Sequence, residues 1–256
     1  MNKLHFNQVL AEPYTSNAQK IRVMSESWMH DSTFCPNCGN QSIEPYRNNN
    51  PAADFYCNSC SEDYELKCKN GSFGTKIVDG AHRTMIEKIK LESNPNFFLM
   101  TYCKQALSIQ NLLVIPKHFF TTDIIEKRKP LSSQAKRSGW VGCNLLLNKI
   151  PSTGKIFLIQ NQTIRNKSEI LNDWGKMLFL RDESNASKAW ILDIIKCIEK
   201  MNKPGFSLND IYHFENYLAH AHPNNFHIKP KIRQQLQLLR DKGFLKFTGK
   251  GYYHVL

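Results

Sequence analysis

The chain has 256 residues, a formal net charge of +12 and a hydrophobic content of 41%. Its length suits one large domain or a moderate domain with a small one, and its basic excess suggests a polyanionic partner, nucleic acid first. No apolar run approaches the roughly 18–20 residues of a membrane helix, and the opening "MNKLHFNQVLAEPYTSN" has no signal-peptide core. The expectation is therefore a cytoplasmic protein without a membrane partner, whose eight cysteines are metal ligands and reduced thiols, not disulfides.

The first helical pattern starts near Ser16, a suitable N-cap, and carries Ile21, Met24 and Trp28 on one stripe. After a cysteine-rich stretch, a second helix is predicted from about Ala81 to Glu92, with Met85, Ile86 and Ile89 on one face. Three apolar runs of strand length follow, Phe97–Cys103, Asn111–Pro116 and Ile156–Gln160. Nearly continuous apolar strands indicate a sheet covered on both faces, and the mixture reads as an α/β (α+β mixed) core. The polar "RDESNAS" (Arg181–Ser187) lacks apolar periodicity, so the boundary is placed there, giving domains 1–182 and 183–256. A helix from about Lys188 to Met201 comes next. Ser207 then opens a second helix, with Asp210 three residues on as a capping signature. A third helix runs from about Lys229 to Lys242, and "GFLKFTGKGYYHVL" reads as two short strands around a Gly-Lys-Gly turn. Three helices and a β-hairpin in this order make a winged helix-turn-helix.

Cys35-x-x-Cys38 and Cys57-x-x-Cys60 are eighteen residues apart. Paired Cys-x-x-Cys turns at such a separation point to a tetrahedral Cys₄ zinc site. Pro36 and Gly39 suit the first turn. Four protein ligands leave no open position, so the Zn²⁺ is expected to be structural. Cys68, Cys103, Cys143 and Cys197 have no such pairing and are expected to be core thiols.

The second knuckle is flanked by charge. "ADFY" and "DYELK" both read as strands, and Glu65 and Lys67, two apart, project from one face. If the knuckle caps the turn between these strands, Asp54 comes close to Glu65. Two carboxylates and an ammonium then share one patch, which suits metal-dependent phosphodiester hydrolysis. The acids hold a hard cation such as Mg²⁺, and the lysine orients water or stabilises charge on the phosphate. The same residues also suit a solvated strand with a surface ion pair, and spacing alone favours that plainer reading.

The blocks "FCPNCGN", "ADFYCNSCSEDYELK", "NPNFFLMTY", "AKRSGWVGCN" and "KIRQQLQLLRDKGFLKFTGKG" together resemble the DpnI-type methyl-directed restriction endonucleases, over nearly the whole chain and in order. The resemblance implies an N-terminal PD-(D/E)xK nuclease domain and a C-terminal winged-helix domain. It implies cleavage of double-stranded DNA at GATC when the adenine carries an N6-methyl group, by a monomer. It makes Asp54 and Glu65 the Mg²⁺ ligands, Lys67 the lysine of the catalytic motif, and Cys35, Cys38, Cys57 and Cys60 the Zn²⁺ ligands. One departure from the superfamily pattern is Ala53 immediately before Asp54, with Pro51 three positions upstream. Cys68, beside the lysine, has no role in this scheme.

Two segments are expected to touch DNA. In "EKRKPLSSQAKRSGW" (Glu126–Trp140), Ser132, Ser133 and Ser138 lie among Lys127, Arg128, Lys129, Lys136 and Arg137, a composition suited to phosphate contacts. A methyl group on adenine N6 lies in the major groove and is apolar, so reading it takes a hydrophobic wall. Trp140 is the candidate, with a core aromatic as the alternative. In the C-terminal domain, seven basic residues follow Ile228 against Asp241 alone. Lys229, Lys231, Arg233 and Gln234 stand at the start of the recognition helix, with Arg233 suited to guanine and Gln234 to adenine. Lys246 and Lys250 are placed on the wing, against phosphates. The alternative from a different class is a zinc-ribbon/winged-helix transcription regulator without catalysis, which would have no need for Asp54, Glu65 and Lys67 together.

Overall fold

The structure, a computed structural model, describes residues 4–47 and 53–256; Pro51 lies outside them. The chain divides into two compact units, Met1–Lys149 with Thr153–Gly175, and Ile150–Ser152 with Lys176–Leu256. The units part seven residues before position 182, because the 3-10 turn Leu178–Asp182 goes with the second unit.

The first unit begins with a 3-10 turn (Gln8–Ala11) and α1 (Asn17–Ser32). Two strands of two residues each follow, β1 (Glu44–Pro45) and β2 (Phe55–Tyr56), and then β3 (Asp63–Asn70). Next come β4 (Lys76–Ala81), α2 (His82–Lys90), β5 (Asn96–Cys103) and β6 (Ser108–Ile115). The series ends with β7 (Ile125–Lys127), β8 (Gly142–Leu146), β9 (Ile156–Gln160), β10 (Thr163–Ile164) and α3 (Lys167–Lys176). The main sheet has the order β1-β2-β3-β5-β6-β9-β10. Its β3–β5 pair is parallel and its other pairs are antiparallel.

Every residue of β5 up to Tyr102 is buried, as a strand covered on both faces requires. Met24, Trp28 and Met29 of α1 are buried as well, and this helix packs against β3. A second sheet, β4-β8-β7, had no counterpart in the apolar pattern: β4 alternates between exposed and half-buried residues, and β7 has only three. Met85 and Ile89 anchor α2, which packs against all three of its strands.

The second unit contains α4 (Asn185–Met201), β11 (Gly205–Ser207), α5 (Leu208–Tyr212), α6 (Glu215–Ala221), α7 (Ile228–Asp241), β12 (Leu245–Gly249) and β13 (Tyr252–Val255). Its sheet order is β11-β13-β12. Ile232, Leu236 and Leu239 of α7 are fully buried, against a core that includes Ile191, Ile194 and Ile195 of α4. Ser207 and Asp210 form the expected capping box in both directions. Two details differ from the sequence pattern. The helix after Ser207 is two short helices, interrupted at His213 and Phe214, and the hairpin gains β11 as a third strand. The wing turns at Gly249, Lys250 and Gly251, at φ 102°, 50° and 74°. Glycine adopts this left-handed region without a Cβ penalty. Among the described residues, no helix is long and apolar enough to cross a membrane.

Candidate active site and metal centre

The two knuckles are built alike. Gly39 N–H donates to Cys35 O at 2.9 Å, and Ser61 N–H donates to Cys57 O at 2.8 Å. Each loop is then closed from its first cysteine, by Cys35 N–H to Asn40 O at 2.8 Å and Cys57 N–H to Glu62 O at 2.9 Å. The residue after each second cysteine is left-handed, Gly39 at φ 78° and Ser61 at φ 56°. Glycine suits the first position, as the sequence suggested; serine accepts strain at the second.

The four thiol sulfurs lie within 4.8 Å of one another. Cys35–Cys60 and Cys38–Cys57 approach to 3.6 Å. A tetrahedral ion with Zn–S bonds of about 2.3 Å needs sulfurs about 3.8 Å apart, so the cluster could hold Zn²⁺ through all four cysteines. Burial raises the Cys57 thiol, but the backbone N–H groups of Cys60 and Ser59 together with the Cys35 and Cys38 side chains outweigh it and bring the pKa down to about 7. Such N–H groups favour the thiolate that a metal requires. The Tyr64 hydroxyl is 3.1 Å from Cys35 Sγ. From outside the knuckles, Trp174 Nε1 donates to Asn37 Oδ1 at 2.9 Å and Lys167 Nζ donates to Gly39 O.

The cluster closes the turn between β2 and β3, which pair only through Phe55–Tyr64 and Tyr56–Asp63. Beyond that short ladder the Asp54 side chain takes over: its Oδ2 accepts the Leu66 N–H at 2.7 Å, while Asp54 N–H donates to Tyr64 O at 3.0 Å. Asp54 is thereby fixed on β3 beside the face that carries Glu65 and Lys67. All three line one cleft of about 860 Å³, whose opposite wall comes from the 3-10 turn and α1 and includes Arg22 and Glu26. Lys67 Nζ is 2.5 Å from Glu65 Oε1. Burial pushes the Glu65 carboxyl up, opposed by Lys67 and reinforced by Asp79 and Asp54. Burial pulls Lys67 down, but Glu65 and Asp79 outweigh it and hold the ammonium above the usual lysine range. Two carboxylates in a part-buried cleft are the oxygen donors a hard divalent cation takes.

Asp79, on β4, is a partner of Lys67 that sequence reasoning missed. Its Oδ1 is 2.7 Å from Lys67 Nζ. It carries no motif, and its only signal was a lone acid in an alternating strand. Cys68 also lines the cleft, with its Sγ 4.0 Å from Met100 Sδ. Burial raises its pKa to about 12, so the thiol is neutral at pH 7. Cys143 and Cys197 are buried core thiols, and Cys103 is half-buried.

The basic segment forms the connection between β7 and β8. Lys127 ends β7, Arg128, Lys129, Ser132, Ser133, Lys136 and Arg137 follow on the connection, and all seven are exposed. Trp140 is half-buried. Its ring comes close to Gly142, where a Cβ would lie 2.8 Å from two of its carbons. On α7, Arg233 and Gln234 are exposed, and Lys231 Nζ donates to Gln234 Oε1 at 2.8 Å. Lys229 Nζ is 3.3 Å from Glu215 Oε2 and lies over the Tyr212 ring. Lys246 and Lys250 are exposed, the second at the tip of the wing.

A two-unit chain with a Cys₄ cluster beside an acidic cleft and a separate winged helix defines a DNA-directed class of protein. Residues 1–183 match the family model DpnI, described as the Dam-replacing family, and residues 186–255 match the Dam-replacing HTH domain. The chain belongs to this family, whose members are methylation-dependent restriction endonucleases that bind DNA.

Proposed function

We propose that the protein hydrolyses phosphodiester bonds of double-stranded DNA at GATC sites carrying N6-methyladenine, as a Mg²⁺-dependent type II enzyme. Residues 1–182 cut and residues 183–256 form the winged helix that helps to find the site. The observation that carries this reading is the convergence of Asp54, Glu65 and Lys67 on one cleft, beside strands that the Cys₄ cluster clamps. The GATC and methyl specificity is supported by family membership and by the basic connection that ends in Trp140.

Asp54 and Glu65 would hold the Mg²⁺. Such an ion would supply Lewis-acid chemistry to the scissile phosphate and to an attacking water. Asp54 contributes a carboxylate already oriented by the Leu66 N–H, so little ordering cost falls on the reaction. Glu65 contributes from the same strand as Lys67. The Lys67 ammonium orients the attacking water or donates to the phosphate oxygen on which negative charge grows. Cys35, Cys38, Cys57 and Cys60 hold a structural Zn²⁺ that takes no part in the reaction.

Lys127, Arg128, Lys129, Ser132, Ser133, Lys136 and Arg137 contact phosphates, and Trp140 packs against the adenine methyl group. In the winged helix, Lys229, Lys231, Arg233 and Gln234 enter the major groove, and Lys246 and Lys250 meet the backbone. The enzyme works in the cytoplasm as a monomer, cutting the two strands in succession.

A plasmid digest with Mg²⁺ tests this, using DNA grown with and without adenine methylation at GATC. Cutting of the methylated plasmid alone is expected. Cutting of both would remove methyl reading, and binding without any cutting would favour a non-catalytic regulator.

A further inference from the structure

Asp79 is the acid that the chemistry above leaves unused. It belongs to the second sheet, yet it meets Lys67 at 2.7 Å with a side chain only 6% exposed, against 25% for the lysine and 26% for Glu65. Lys67 therefore has two carboxylate partners, and they are not equivalent. Glu65 lines the cleft with Asp54, whereas Asp79 does not. A cation held by Asp54 and Glu65 would compete with Lys67 for the Glu65 carboxylate. A part-buried ammonium without a partner is costly and free to change rotamer.

Asp79 is also joined to the basic connection. It pairs with Cys143 of β8, which pairs in turn with Lys127 of β7. Arg128 N–H donates to Gly142 O at 3.0 Å and closes the base of that hairpin. At the same place β4 carries a register shift between Asp79 and Ala81, and Cys143 Sγ lies 3.5 Å from Gly80 O.

We propose that Asp79 is a positioning residue that holds Lys67 Nζ in place while Glu65 engages the metal, and that ties the lysine to the hairpin touching DNA. This rests on the catalytic reading of Asp54, Glu65 and Lys67. Asp79 touches no substrate atom; it acts through Lys67.

The test uses the full-length zinc-loaded protein and a duplex with one methylated GATC site. Binding is measured without Mg²⁺, and strand cleavage with Mg²⁺ in a single turnover at saturating enzyme. The variants are Asp79→Asn, Asp79→Glu, Lys67→Ala and the double variant Lys67→Ala with Asp79→Asn. Asp79→Asn is expected to bind as the parent does and to cut about 10²-fold more slowly, the scale of a misplaced catalytic group. Asp79→Glu recovers part of the rate. The double variant cuts no more slowly than Lys67→Ala alone, because residues acting as a unit are not additive.

Parental cleavage by Asp79→Asn, while Lys67→Ala is inactive, overturns the positioning role and leaves the catalytic site standing. Parental cleavage by Lys67→Ala overturns the site itself. A further loss in the double variant shows that Asp79 acts other than through Lys67. Loss of zinc or of fold in both Asp79 variants makes the residue structural and equally overturns the proposal.

Discussion

In the second unit, the residues proposed to face DNA stand on one helix and one wing, braced by neighbours close in sequence. Lys229 leans on Glu215 and Tyr212, α7 buries Ile232, Leu236 and Leu239, and α5 is closed by its own capping box. In the first unit, the charged residues proposed for catalysis, with Asp79 behind Lys67, come from segments that are not neighbours in one element. Asp54 precedes a two-residue strand, Glu65 and Lys67 stand on β3, and Asp79 arrives from another sheet. The Cys₄ cluster supplies what the short ladder lacks. One unit is held by an apolar core, and the β2–β3 turn of the other would be held by a metal ion on its four cysteines. The two should therefore fail differently.

Metal removal should give the largest difference. Zinc binding is worth about 10–16 kcal/mol in small zinc domains. Cys57→Ser, or a chelator strong enough to strip zinc, is expected to unfold the β2–β3 turn and abolish cutting, with the second unit's helical signal and cooperative melting retained. Removing Mg²⁺ alone should stop the cut and leave both units folded. Calorimetry with zinc analysis checks this, and joint melting of both units on zinc loss would break the contrast.

Trp140→Ala should be the next largest. An apolar methyl contact is worth ~1–3 kcal/mol, so the variant is expected to lose about tenfold of its preference for methylated over unmodified duplex, with overall DNA affinity less affected. Competition binding with the two duplexes measures it. Unchanged preference would return Trp140 to packing on Gly142 alone.

In the winged helix, Arg233→Ala should cost roughly 1–3 kcal/mol and relax selectivity at one base pair. Lys246→Ala should weaken all sequences alike and reduce the salt slope of binding by about 1. Titrations at several salt concentrations separate the two. Smallest of all, Ser207→Ala should remove the capping bond and lower the second unit's stability by ~1 kcal/mol, visible in its thermal midpoint with single-turnover cleavage unchanged.

The same contrast explains what could be read from the sequence. The knuckles, the shared face of Glu65 and Lys67, the capping box and the Gly-Lys-Gly wing all follow from residues a few positions apart, and short-range spacing carries that information. The break at His213 and Phe214 was not legible, since Ser207–Ala221 is helical in period on either side of it. Asp79 was hidden for a deeper reason. It pairs with Cys143, sixty-four residues away, and reaches Lys67 through a second sheet whose strands alternate weakly or are three residues long. Likewise, the side chain of Asp54 replaces a strand partner for Leu66, and only the length of β2 in the fold reveals it.

The most direct measurement compares Asp54→Ala with the parent on a duplex carrying one methylated GATC site, recording binding and single-turnover cleavage with Mg²⁺. Binding is expected to be unchanged and cutting to fall on the order of 10³-fold or more. Cutting at the parental rate would contradict it, because the cleft that Asp54 shares with Glu65 and Lys67 would then not be where the DNA is cut.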